Sequence, residues 1–137
     1  MNLSAQWVVG FIDGEGCFHV SITHHPTMPL GYQVLPEFTV VQHSQDIQVL
    51  HGLKKFFGCG VVRPHGPNTH AYRVRKGEHL MTVIAPFFLK HALKTRKGVS
   101  FRKFWWVIRK MHTENLHLTE DGLAQIRKVQ EGMNKPI

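Results

Sequence analysis

Cysteine is almost missing from this chain: Cys17 and Cys59 are the only two, and neither sits in a C-x-x-C pair or a Cys/His spacing that would hold zinc. A disulfide scaffold and a structural zinc module are therefore excluded, and both thiols read as small, reduced core residues. Acidic residues are scarce as well, 9 Asp and Glu against 17 Lys and Arg, leaving a net charge of +8 with 11 histidines beside it. Such an excess points to nucleic acid or an anionic surface as partner. No apolar run approaches the ~20 residues of a membrane span, so no membrane partner is expected. Lys and Arg are absent before the first apolar stretch and no cleavage pattern follows it, unlike a signal peptide. This predicts an intracellular protein, in the cytoplasm or nucleoid or in a mitochondrial or chloroplast matrix. With no linker, low-complexity tract or long repeat, residues 1–137 read as one domain with chain enough for a core.

What is present is organised around residues Ala5 to Gly16. Trp7, Val8, Val9, Phe11 and Ile12 leave almost no polar face, and a helix apolar all round has to be covered by protein on every side. Ser4 is its expected N-cap. Gly10 and Gly14 fall four apart on one face, where an interior glycine costs roughly 1 kcal/mol relative to alanine, and close approach of a second backbone would offset that loss. Asp13 and Glu15 come at the helix C-terminus, where the macrodipole disfavours negative charge. Taken by residue type alone, two readings fit: a core helix with a Gly-rich end and two solvated acids, or a pair of carboxylates awaiting a cation.

From Cys17 the period changes to two. Phe18, Val20 and Ile22 alternate with His19, Ser21, Thr23 and His25, Pro26 to Gly31 turn the chain, and Val34, Phe38 and Val40 return inward against Gln33, Leu35, Glu37 and Thr39 outward. Ser44 and Asp46 should open a second helix that Gly58 stops. A second hairpin turns at Gly66-Pro67-Asn68, with Tyr72 and Val74 inward and Arg63, His65, Ala71, Arg73 and Arg75 outward. A third helix from about Glu78 should end or kink at Pro86. The basic run Lys90 to Lys103, a helix carrying Phe101, Phe104, Trp105, Ile108 and Met111, and a last helix from Thr119 complete the chain. Hairpins feeding one antiparallel sheet with helices on one side give an α+β domain. The other sheet face stays bare and basic, and a two-stranded ribbon of this kind fits the major groove of DNA.

Val8 to Gly16, VVGFIDGEG, resembles the LAGLIDADG signature of homing endonucleases, with Gly, Ile, Asp and the final Gly identical and the second acid present as Glu15. Three further stretches extend the resemblance: Phe38 to His43, Leu53 to Gly60 and Leu93 to Lys97. The chain is thereby identified as similar to single-motif members, with a core over about residues 5–112 and a C-terminal helical extension over about 113–137. The resemblance implies an αββαββα saddle whose sheet faces DNA, plus additional C-terminal helices. It implies a homodimer paired through Trp7, Gly10, Phe11 and Gly14. It also implies cleavage of one phosphodiester per strand at a long pseudo-palindromic site, leaving the staggered double-strand break that intron mobility requires.

By position in that pattern, Glu15 is the metal ligand with the Gly14 carbonyl as a second donor, Gln42 positions the attacking water, and Lys97 is the cation near the scissile phosphate. Asp13 braces the helix end. The implied cofactor is Mg²⁺, with Mn²⁺ a substitute and Ca²⁺ supporting binding without cleavage. The partners are double-stranded DNA and a second copy of the chain, with no small-molecule substrate. Sequence reading falls to Ser21, Thr23, His25, Gln33, Leu35, Glu37, Thr39, Arg63, His65, Ala71, Arg73 and Arg75. Phosphate contact falls to Lys54, Lys55, Lys90, Lys94, Arg96 and Arg102. Gln45, Asp46, Ala92, Gly98 and Ser100 depart from residues common in relatives. The alternative on the same fold is an intron maturase or a nucleic-acid-binding protein that does not cleave.

Overall fold

The computed structural model describes residues 1–134; the last three positions of the expected C-terminal extension lie outside the described residues. Helix α1 (Ala5–Glu15) starts as its sequence requires, with the Ser4 hydroxyl accepting from the Trp7 amide at 3.2 Å. It passes straight into strand β1 (Gly16–His24), which pairs antiparallel with β2 (Tyr32–His43). A 3-10 turn over Ser44–Asp46 leads into α2 (Ile47–Phe57). His43, rather than Ser44 or Asp46, supplies the capping acceptor there, its ring nitrogen taking the Gln45 amide at 3.1 Å. Gly58 ends α2 in the left-handed region at φ 73°, which favours glycine.

Strands β3 (Val61–Gly66) and β4 (Thr69–Val74) form the second hairpin, and the four strands lie in the order β1-β2-β4-β3. The register slips between Pro64 and Gly66, which leaves His65 in a bulge on an edge strand, where a proline costs no ladder bond. Beyond the sheet come α3 (Gly77–His79), a π turn (Leu80–Ile84), α4 (Ala85–Lys90), α5 (Lys97–Glu114) and α6 (Glu120–Glu131), the last capped by Thr119. Pro86 does not stop its helix. The Ala85 amide reaches back to Leu80 O, and this wider turn carries the path past the ring to Lys90.

One sheet face is sealed by helices. Phe18, Phe38 and Tyr72 are fully buried, and Phe18 stacks on Phe38 at 5.0 Å while meeting Phe88 and Phe101 edge-on at 5.3 and 5.2 Å. Edge-to-face contacts of this kind add to burial and fix how α4 and α5 seat on the strands. Helix α6 closes the free side of β1, with Gln130 Nε2 donating to Val20 O and Asn134 Nδ2 to Phe18 O, both at 2.8 Å. An edge strand covered in this way cannot pair with another chain. Cys59 is buried as expected, but Cys17 is only half-buried and lies on the opposite sheet face from Phe18.

The departures at Gly98 and Ser100 are packing features. A side chain at Gly98 would meet Leu93 O at 3.3 Å, and Ser100 is buried where its hydroxyl accepts from the Asn134 amide at 3.4 Å. Among the described residues, no helix is long and apolar enough to cross a membrane.

Candidate active site and nucleic-acid interface

The junction of α1 and β1 has no loop, so the acids at the helix end are held rigidly. Gly16 makes this possible: its amide donates to Ile12 O, and a Cβ there would lie 2.6 Å from Ile12 Cγ2. Asp13 is saturated. One carboxylate oxygen accepts the Lys94 amide at 2.6 Å, and the other accepts the Thr95 amide at 3.0 Å and the Thr95 hydroxyl at 2.6 Å. The Thr95 oxygen accepts in turn from the Lys97 amide at 3.2 Å, and Lys97 Nζ reaches the Gly16 carbonyl. Burial alone would raise the Asp13 pKa, but the Thr95 hydroxyl, the Lys94 and Thr95 amides and the Lys97 charge together hold it below the usual value. Asp13 therefore clamps a loop some eighty residues further along the chain.

Glu15 is free by comparison. It is exposed, and among the described residues its carboxylate accepts one hydrogen bond, from Gln42 Nε2 at 3.2 Å, an amide that also donates to Val41 O at 2.9 Å. Glu15, Gln42 and Lys97 thus converge on this junction, as expected from their positions. Glu15 Oε1 and the Gly14 carbonyl, in the last helical turn where carbonyls lack helical partners, are hard oxygen donors. That donor type suits Mg²⁺, which binds through one or two protein oxygens and keeps several waters. Among the described residues no group of three or more His, Cys, Asp or Glu side chains is arranged to hold a metal ion by itself.

Among the described residues helix α1 is buried on one side only, so the cover expected on its other side is not supplied by the rest of this chain. Val8 and Ile12 have no exposed surface, whereas Trp7 is 43% exposed and stacks on Phe11 at 4.7 Å. A side chain added at Gly10 or Gly14 would meet nothing within 4 Å. Trp7, Gly10, Phe11 and Gly14 fall on one helical stripe, and among the described residues no backbone approaches closely enough to offset the glycines.

The outer sheet face carries His19, Ser21 and Thr23 on β1, paired with Glu37, Leu35 and Gln33 on β2, and Thr39 paired with Arg73 on β4. Arg63 and His65 are exposed on β3. Two expected reading positions are corrected by burial: Ala71 is 2% and Glu37 7% exposed, so neither offers a contact of its own. Glu37 is instead enclosed by His19, Arg73 and Arg75. His25 lies past the end of β1 and bonds Thr27 at 2.8 Å. Lys54 and Lys55 ride on α2, on the helix side of the sheet, and Lys55 donates to Asn2 at 2.9 Å. The stacking of Arg127, on α6, over Tyr32 at 4.6 Å had no signal in the sequence.

Comparison with known proteins follows the same lines. The chain is similar in structure to a crystallised homing endonuclease, I-TnaI, at 49% identity and a TM-score of 0.95, covering 100% of this chain and 92% of that one. It is also similar to I-SmaMI bound to uncleaved DNA in the presence of calcium ions, at 36% identity and a TM-score of 0.94, covering 99% of this chain but 46% of that chain. In sequence it is 32% identical over 83 residues to the DNA endonuclease I-CvuI of Chlorella vulgaris, covering 61% of this chain and 52% of that protein. A probable intron-encoded endonuclease of Neurospora crassa is 29% identical over 132 residues, covering 96% of this chain and 27% of that protein. The chain thus spans about a quarter to a half of the length of these curated relatives. The model of the LAGLIDADG endonuclease family matches residues 8–108, and the chain belongs to that family.

Proposed function

We propose that the chain is a homodimeric, site-specific DNA endonuclease in which two α1 helices pair and set one Glu15 from each copy beside the other at the centre of the assembly. The observation that carries this reading is the stripe Trp7, Gly10, Phe11 and Gly14, in which Trp7 is 43% exposed and both glycines face open space, and which ends at the exposed Glu15. That the chain covers 46% of the DNA-bound I-SmaMI chain supports the need for a second copy. Two carboxylates about 5 Å apart repel by roughly 3 kcal/mol at an effective dielectric of 20, so the paired state calls for divalent cations. Mg²⁺ would be held by Glu15 and the Gly14 carbonyl, and when bound it supplies charge stabilisation at the scissile phosphate.

The chain's own groups do the rest. Gln42, fixed by its bonds to Val41 O and Glu15, aligns a water for in-line attack. Lys97, anchored on the Gly16 carbonyl, places positive charge where the phosphate gains negative charge. The outer sheet face enters the major groove, and the two-fold axis makes the target a long, roughly palindromic site cut once on each strand.

The test is selection of cleaved sites from a randomised duplex library with Mg²⁺, with Ca²⁺ as a binding-only control. Recovery of one pseudo-palindromic site, cut with a stagger in Mg²⁺ and bound but intact in Ca²⁺, is expected. Sequence-selective binding without cleavage in either metal would replace this reading with the non-cleaving or maturase one.

A further inference from the structure

A carboxylate on a surface meant for DNA is an anomaly. It repels phosphate, and Glu37 is placed near the middle of the outer face of β2. Its side chain is 9% exposed, and three cationic or titratable partners enclose it. Across the β1 ladder, His19 Nε2 meets one oxygen at 2.8 Å; from the β4 side, Arg75 Nε meets the other at 3.0 Å and Arg73 Nε approaches the same oxygen at 3.5 Å. Both carboxylate oxygens are therefore taken, and direct acceptance from a base is closed to this residue.

The way the arginines are held is informative. Both present their Nε edge to Glu37: Arg75 Nε donates to it at 3.0 Å, and Arg73 Nε, buried and without a hydrogen-bond partner among the described residues, is held 3.5 Å from the same oxygen by charge alone. Arg73 and Arg75 are 26% and 55% exposed, and both border an open hollow of about 430 Å³ that Arg63, Lys76 and His79 also line. A guanidinium pinned at Nε keeps its two terminal nitrogens as a fork, the geometry that pairs with O6 and N7 of guanine. Without the pin, a long side chain among so many cations would be drawn to phosphate, which holds the protein but reads no sequence. Two residues along an extended chain span about 6.7 Å, close to two base steps of about 3.4 Å.

We infer that Glu37 is a specificity-determining positioning residue that fixes Arg73 and Arg75 as a matched pair of guanine readers about two base pairs apart in each half-site. This rests on the proposed DNA-reading role of the sheet. It also accounts for a buried acid in a strongly basic protein, since removing one charge from such a cluster leaves the others unpaired or free to move.

The test is a binding selection on a randomised half-site library in Ca²⁺, run with the wild type, Arg73→Ala, Arg75→Ala, Glu37→Gln and Glu37→Asp, each first checked for folding by circular dichroism. The two Arg→Ala variants should each erase guanine preference at one position. Glu37→Gln should relax both of those positions together, by roughly tenfold in discrimination against the wrong base, while other positions and affinity for a scrambled duplex change less than twofold. Glu37→Asp keeps the charge but not the reach and should relax the same two positions, so it carries the test if the Gln variant does not fold. Discrimination left intact in both Glu37 variants, or lost evenly along the site, overturns the inference. So does a wild-type site whose preferences neither Arg→Ala variant moves, and that result leaves the endonuclease reading standing. A wild type with no sequence preference at all fails the endonuclease reading itself.

Discussion

The two sides of α1 obey different rules. On the inner side Val8 and Ile12 are fully buried beneath the sheet and helices, so their identity is set by folding. On the outer side Trp7 is 43% exposed and the two glycines face open space, an arrangement that costs the isolated chain helix propensity and apolar exposure without return. The same division runs through the acids at the helix end. Asp13 spends its oxygens on the Lys94–Thr95 backbone and the Thr95 hydroxyl and serves the architecture, whereas Glu15, bonded among the described residues only by Gln42, is the acid to which the proposed function gives the chemistry. Two residues of identical charge, two positions apart, are thereby sorted by their partners alone.

Substitutions that separate these roles test the division. The largest effect is expected at Glu15: Glu15→Gln should cut single-turnover cleavage by about 10³-fold or more, the scale of several kcal/mol of transition-state charge stabilisation, with thermal stability unchanged and DNA binding retained. Ile12→Ala, on the inner side, should do the reverse, lowering unfolding free energy by about 2–5 kcal/mol in a denaturant titration. Gln42→Ala should slow cleavage by roughly a hundredfold with little change in affinity, as expected when a group that orients the nucleophile is removed.

Asp13→Asn is expected to have the smallest effect, about a tenfold slower cleavage through a loosened Lys97, of the order of one hydrogen bond to a charged group. Asp13 also carries a pH signature. Its folded pKa lies below the ordinary value near 3.9, so the clamp's contribution is complete above about pH 4 and is lost as pH falls through the depressed value. Hydrogen exchange should show the Lys94 and Thr95 amides protected at neutral pH and released in acid. In Asp13→Asn they should be unprotected throughout; equal protection in wild type and variant would remove Asp13 from the loop's support.

The sequence made some of this legible and hid the rest for physical reasons. Helix α1, its Ser4 cap and both hairpins follow from local spacing, and the family signature brought Glu15, Gln42 and Lys97 together before any coordinates did. The Asp13 clamp was seen only as a generic brace, because its partner lies some eighty residues away and no local pattern links Asp13 to Thr95. Glu37 alternates correctly to the outer face, but alternation reports direction and not burial, which depends on three neighbours from two other parts of the sheet. Pro86 read as a stop or a kink because the rule assumes regular α geometry; the π turn before it lets the helical path continue to Lys90. The closing of the β1 edge by Gln130 and Asn134 is likewise tertiary, with two ordinary amides given a role only by where α6 docks.

The most direct measurement is sedimentation equilibrium of the wild type and of Gly10→Leu, free and on a cleavable duplex. The open space at Gly10 predicts that leucine there leaves the protomer folded while blocking close approach of a second α1. The wild type should then run at twice the 15.7 kDa of the chain and bind two copies per duplex, and the variant should run as a single copy that does not cut. A wild type that cleaves DNA as a single copy, or a Gly10→Leu variant that pairs and cuts like the wild type, would contradict the claim that the outer stripe of α1 builds the active assembly.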